Sequence, residues 1–139
     1  MAAPARGPAA GGPPHPAWLV PALAYAGLIF WLSSQSNPLP YLTARVWDKA
    51  LHGVEYAALA ALLALGLDHV TRLGLRRVGL RAALLASLYG ASDELHQAFV
   101  PGRSCELLDW AADTTGALLG AALTVVFLRR WRARASIRA

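Results

Sequence analysis

Most of the chain's acids and two of its four histidines fall in three short stretches. They are Asp48-Lys49-x-x-His52-x-x-Glu55-Tyr56, Asp93-Glu94-x-His96-Gln97 with Pro101-Gly102-Arg103 just after it, and Asp109-x-x-x-Asp113. Each stretch lies in or at the end of a long apolar run. An acid near the centre of a membrane helix costs roughly 2.5–3.5 kcal/mol by insertion scales, so a chain that keeps several there must give them partners. Carboxylates crowded beside imidazoles can donate and accept protons. In an enzyme, Asp93 or Glu94 would be the general base and His52 the acid or a metal ligand. With Lys49 and Arg103 the same groups can instead hold a polar, anionic ligand by charge-assisted hydrogen bonds.

A metal centre is the sharper alternative. His52-x-x-Glu55 and Asp93-x-x-His96 place nitrogen and oxygen ligands one helical turn apart, as carboxylate bundles do. One pair runs in reverse order, and Lys49 and Arg103 oppose a cation, so no metal and no cofactor is expected. A nucleophile triad has less support, since no GxSxG is present and Ser92 and Ser104 carry no signature. Cys105 is the single cysteine. It excludes an intrachain disulfide and a cysteine metal cluster, and reads as an incidental loop thiol.

The elements that position these groups follow from composition. Of 139 residues, 56% are hydrophobic and only 15% charged, too few charges for an ordinary soluble surface. The apolar residues gather into four segments near the ~20 residues a bilayer crossing needs: 17–34, 48–67, 80–100 and 108–128. The charges cluster at segment ends, where a soluble bundle would carry polar stripes along each helix. The expectation is an all-α, four-helix transmembrane bundle over 17–128. An Ala/Gly/Pro-rich disordered tail (1–16) precedes it and a basic tail (129–139) follows. His15 has no evident role. A cleaved leader is the rival reading of the first segment, but Trp31 stands where cleavage wants a small residue. Asn37-Pro38 and Pro40 mark the turn between segments one and two.

Ten basic residues flank one side of the segments and three, Arg45, Lys49 and Arg103, the other. The positive-inside rule then puts both termini in the cytoplasm, in a multi-pass protein of the cell membrane. All five tryptophans fall at segment ends, as interfacial belts require. The net charge of +5 sits beside apolar runs without interleaved stacking aromatics, which points to lipid headgroups as partners and away from nucleic acid. At ~1.5 Å per residue, Asp93 lies ~18 Å above Arg81, Glu55 ~20 Å above Asp68 and Asp113 ~24 Å above Arg129. Three helices thus bring ionisable groups to one outer depth. Asp48, His52, Glu55 and Tyr56 share a face of segment two, and Asp93, His96, Gln97 and Tyr89 a face of segment three. On segment four, Asp109 and Asp113 line up with Gly116 and Gly120, a GxxxG pair that turns the stripe toward neighbouring helices. A buried hydrogen-bond network that only holds the helices together is the simplest role for this layer.

These residues resemble the VanZ-like family of small bacterial membrane proteins. The matching pieces run in family order from Trp31-Leu32-Ser33-Ser34-Gln35-Ser36 through Asp48-Lys49-x-x-His52-x-x-Glu55-Tyr56-x-x-Leu59. They continue with Asp93-Glu94-x-x-Gln97-x-Phe99-Val100-Pro101-Gly102-Arg103 and Asp109-x-x-x-Asp113-x-x-Gly116. Many family members have Asn where this chain has Asp113. The resemblance implies an integral membrane protein with Asp48, Lys49, His52, Asp93, Glu94, Gln97, Arg103 and Asp109 as its functional set. The name-giving member is associated with low-level resistance to the glycopeptide teicoplanin, and no reaction comes with the family. The resulting expectation is an outward-facing polar pocket, lined also by Glu55 and Asp113. It would bind a lipid or cell-wall-precursor headgroup, or help keep a glycopeptide from its target. A membrane hydrolase or transferase on a lipid-linked substrate is the alternative, and a small proton-coupled transporter the second. Binding is favoured over catalysis.

Overall fold

The structure, a computed structural model, describes residues 15–36 and 47–138. The proposed turn at Asn37-Pro38 and Pro40, Arg45, and residues 1–14 of the tail lie outside the described residues. Among those described there are four α-helices and no strand. A 3-10 turn, Pro16–Leu19, leads into α1 (Val20–Ser33); then come α2 (Asp48–Val70), α3 (Leu75–Gln97) and α4 (Leu107–Ile137).

His15 has a local role after all: its Nδ1 accepts the Ala17 N–H at 3.2 Å and caps the first turn. Pro21 falls in the opening turn of α1, where its missing N–H leaves no bond unmade. The α2 helix ends where Thr71 turns extended and its Oγ1 donates to the Leu67 carbonyl at 2.6 Å. Only residues 71–74 separate α2 from α3, so Arg76 and Arg77 lie on a helix and not in a loop. At the C-terminus the basic stretch continues α4 as far as Ile137, because Ala and Arg are strong helix formers. Arg132 there donates from Nη2 to both oxygens of Asp68, at 2.7 and 2.6 Å, tying α4 to the end of α2.

Three helical stretches are long and apolar enough to cross a membrane: Pro16–Ser33, Asp48–Val70 and Leu107–Ile137. The α3 helix falls outside that group because Arg76, Arg77, Arg81, Asp93 and Glu94 lie along it.

The α2, α3 and α4 helices form the body, and α1 lies against α2 and α3. Two clusters pin α1. At one end Trp18 stacks on His69 with ring centroids 4.0 Å apart; at the other Phe30 stacks on His96 at 4.7 Å. Between them the Tyr89 hydroxyl donates to the Ala26 carbonyl at 2.7 Å.

The interior is built from small residues: Ala60, Ala64, Ala82, Ala86, Ala117 and Ala121 are buried, with Tyr56, Leu59 and Val78 among them. Bulky side chains lie outside, Leu84, Leu88, Leu118 and Leu123 each being more than half exposed. Small residues let helix backbones approach closely, the packing mode of helices surrounded by lipid. The seam between α2 and α4 takes this furthest. A Cβ added to Gly116 would overlap the backbone of Gly53, and one added to Gly120 the backbone of Ala57. The glycine pair on α4 therefore meets a small pair, also four residues apart, on α2.

Candidate functional site

The close α2–α4 seam and the short α2–α3 turn bring the three polar stretches together at the end of the body away from the arginines of α3 and α4. The α2 helix supplies His52 and Tyr56, one turn apart and both buried. The α3 helix supplies Asp93, Glu94 and Gln97, and α4 supplies Asp109 and Asp113, all buried as well. Asp113 has no exposed surface at all. Lys49, Glu55 and Arg103 are half-buried, and Asp48 is exposed at the edge.

Contacts between helices hold the cluster. Lys49 Nζ donates to Asp109 in a short ion pair and to Glu106 Oε2 at 3.0 Å. His52 Nδ1 meets Asp113 Oδ1 at 3.0 Å. Gln97 Nε2 donates to Asp93 Oδ2 at 2.9 Å, and Arg103 Nη2 donates to Gln97 Oε1, so guanidinium, amide and carboxylate form one relay. The loop 98–106 folds back over these groups. Its Val100-Pro101-Gly102-Arg103 turn is closed by the Arg103 N–H on the Val100 carbonyl at 3.1 Å, with Gly102 at φ +81. Proline followed by a left-handed glycine is the type II signature, and here it aims Arg103 back at Gln97. Farther along, the Glu106 N–H donates to Glu94 Oε2 at 2.8 Å.

Among the described residues four buried side-chain oxygens find no hydrogen-bond partner: Tyr56 Oη, Asp93 Oδ1, Glu94 Oε1 and Asp113 Oδ2. Gly90 on α3 makes room for Asp113 and Tyr56. A Cβ there would stand 2.9 Å from Asp113 Oδ2 and 3.2 Å from a Tyr56 ring carbon.

Of the metal candidates at i, i+3 spacing, His96 turns to α1, where its Nε2 meets Ser34 Oγ at 3.1 Å, and Glu55 is half-buried beside the cluster. The groups that do converge come from different helices: His52 with Glu94 and Asp113, and His52 with Asp48 and Asp109. Hollows on the surface lie at the arginine end, one lined by Gly74, Leu75, Arg76, Arg77 and Arg129, another by Phe127, Arg130, Trp131 and Arg134.

Sequence spacing did not single out Glu106, Gly53 or Gly90. Glu106 had one readable signal, its place just before the first turn of a helix that opens with Asp109. Lys49 donates a hydrogen bond to its carboxylate and, with Ser104, holds that carboxyl below its ordinary value of 4.5. A depressed acid stabilises the fold above its unfolded pKa, and the effect is lost as pH falls through the folded one. Thermal unfolding in detergent should therefore show wild type above Glu106→Gln by a steady, small margin from neutral pH to about pH 5. The two should converge at lower pH; a margin that survives full protonation would mean that the contact acts through packing.

A family model described as VanZ/LLP1 matches residues 16–128 of the chain. No curated protein and no solved structure matches it.

Proposed function

The chain belongs to the VanZ/LLP1 family, and on that premise we propose a multi-pass protein of the cell membrane that binds polar headgroups at its outer face. In this reading all four helices cross and both termini lie in the cytoplasm. The α3 helix spans despite its charges because its 23 residues reach ~34 Å against a ~30 Å hydrocarbon core. Its acids turn inward while Leu80, Leu84, Leu88 and Leu95 face out. The arginines of α3 and α4 then gather on the cytoplasmic side.

Arg103 carries the binding reading. It stands over the acidic cluster, held by the neutral Gln97 and making no ion pair among the described residues. A guanidinium fixed at one nitrogen, with no partner for the others among the described residues, suits a phosphate. Lys49, by contrast, is taken up by Asp109 and Glu106. The ligand is the headgroup of a lipid or of a lipid-linked cell-wall precursor, and occupancy of that headgroup would underlie any protection from glycopeptides.

Purified full-length protein is expected to retain a phosphate-bearing lipid through detergent exchange, seen by mass spectrometry of the extracted lipid. Arg103→Gln should reduce the retained amount about tenfold, the effect of losing ~1.4 kcal/mol of charge-assisted bonding, with the protein level unchanged. Equal retention by wild type and variant would remove the reading.

The second reading, a hydrolase or transferase on a lipid-linked substrate, draws on the His52–Asp113 contact. A carboxylate on Nδ1 orients an imidazole for general acid–base work. Turnover of a lipid phosphate that stops in His52→Gln would favour it over binding alone.

A further inference from the structure

We infer that His52, Glu94 and Asp113 form a divalent-cation site that joins the acidic cluster to the anionic headgroup. This deepens the headgroup reading and rests on it for its role, though not for its ligands.

One donor atom from each of the three side chains lies within 4.8 Å of the others, and the three come from α2, α3 and α4. Ligands about 2.0–2.2 Å from a common ion stand roughly 3–3.5 Å from one another. The His52 Nδ1 to Asp113 Oδ1 distance of 3.0 Å already matches such an edge. A modest inward movement of Glu94 would complete the triangle.

The oxygens without partners point the same way. Among the described residues Glu94 Oε1 and Asp113 Oδ2 have no partner, while Glu94 Oε2 takes the Glu106 N–H and Asp113 Oδ1 is the atom that faces His52. Both residues are more than nine-tenths buried. The Tyr56 hydroxyl, fully buried on the same helix as His52, also has no partner among the described residues. Buried oxygens without a donor are costly, and a cation satisfies several at once. The Glu106 N–H, holding Glu94 by its other oxygen, orients that carboxylate as an outer shell orients a metal ligand.

The balance of charge agrees. Glu55, Asp93, Asp109 and Glu106 surround the triad, and Lys49 is committed to two of them. Among the described residues the Arg103 guanidinium reaches only Gln97. The triad itself is touched by no ammonium or guanidinium among the described residues. An anionic headgroup would meet net repulsion from these acids. A divalent ion bound by them reverses that and offers an open coordination position to a phosphate oxygen. One imidazole nitrogen with two carboxylates selects the zinc or manganese class over magnesium or calcium.

The test uses the full chain in detergent, loaded with Zn²⁺ or Mn²⁺, desalted and assayed for metal by mass spectrometry. About one ion per chain is expected. Monodisperse Glu94→Gln and Asp113→Asn should fall to background, while Asp68→Asn, at the arginine end, should match wild type. Because the site variants could fail to fold, wild type alone is also heated with and without the ion. A higher Tm that a chelator reverses supports the site. No stoichiometric ion and no shift in Tm overturns it, as does full loading of either site variant.

Lipid retention with and without chelator separates this proposal from the reading it rests on. Retention lost to chelator and restored by Zn²⁺ supports both. Retention indifferent to chelator, with no ion taken up, overturns the cation and leaves the headgroup. An ion bound with no lipid retained does the reverse.

Discussion

Gly116→Leu is expected to abolish accumulation of folded protein, and no other single change should act more strongly. A Cβ at Gly116 overlaps the carbonyl and Cα of Gly53, which are main-chain atoms and cannot rotate away. The α2 and α4 helices would have to separate along their whole seam. Overpacking a core usually costs about 1–3 kcal/mol, and a clash of side chain on backbone lies at or above the top of that range. The separation would also part His52 from Asp113 and Lys49 from Asp109, since both contacts bridge the same two helices. Gly27→Leu is the matched control. Gly27 lies on α1 with nothing within 4 Å of an added Cβ, so that variant should behave as wild type. Size-exclusion profiles of fluorescent fusions in detergent would show the contrast. A monodisperse Gly116→Leu peak at wild-type height would contradict the seam.

The second large effect is at His52 and Asp113. Removing one partner of a buried charged pair typically costs about 3–5 kcal/mol, because the other is left alone in a low-dielectric interior. Asp113→Ala and His52→Ala should each lower stability on that scale. The double variant should fall short of the summed losses by about 1–3 kcal/mol, the coupling expected of groups in contact. Thermal unfolding of the four proteins measures the cycle. Strictly additive losses would mean that the 3.0 Å contact carries no energy. Lipid retention adds a second reading from the same proteins. If the double variant regains stability but holds no lipid, the pair does more than assemble the bundle.

Much of this arrangement was legible before any coordinates. Periodicity of 3.6 puts Asp48, His52, Glu55 and Tyr56 on one face and Asp109, Asp113, Gly116 and Gly120 on another; the second is buried throughout, while the first is buried at His52 and Tyr56, half-buried at Glu55 and exposed at Asp48. The apolar runs locate α1, α2 and the start of α4 to within a few residues. Arginine-rich ends were harder to read. Charge marks the limit of a lipid-facing run but does not stop a helix, so α3 begins earlier and α4 ends later than hydropathy suggested. Partnerships between helices were the least legible. Spacing fixes which residues share a face, not how each helix is rotated against its neighbours. That rotation sends His96 to Ser34 and Phe30 on α1, brings Lys49 to Glu106, and assembles His52 with Glu94 and Asp113 in place of Glu55. Arg132 with Asp68 pairs residues 64 apart, which no local pattern announces.

The inverted placement of large and small side chains bears on how freely this chain can change. Leu84, Leu88, Leu118 and Leu123 touch chiefly what surrounds the protein, so an outer coat of Glu, Lys and Gln could replace them without disturbing any contact between helices. The alanines within have no such latitude, for an added methylene at Ala60 or Ala86 has nowhere to go. Drift over generations should therefore concentrate on the bulky exterior, and a redesign for water would begin by repainting it.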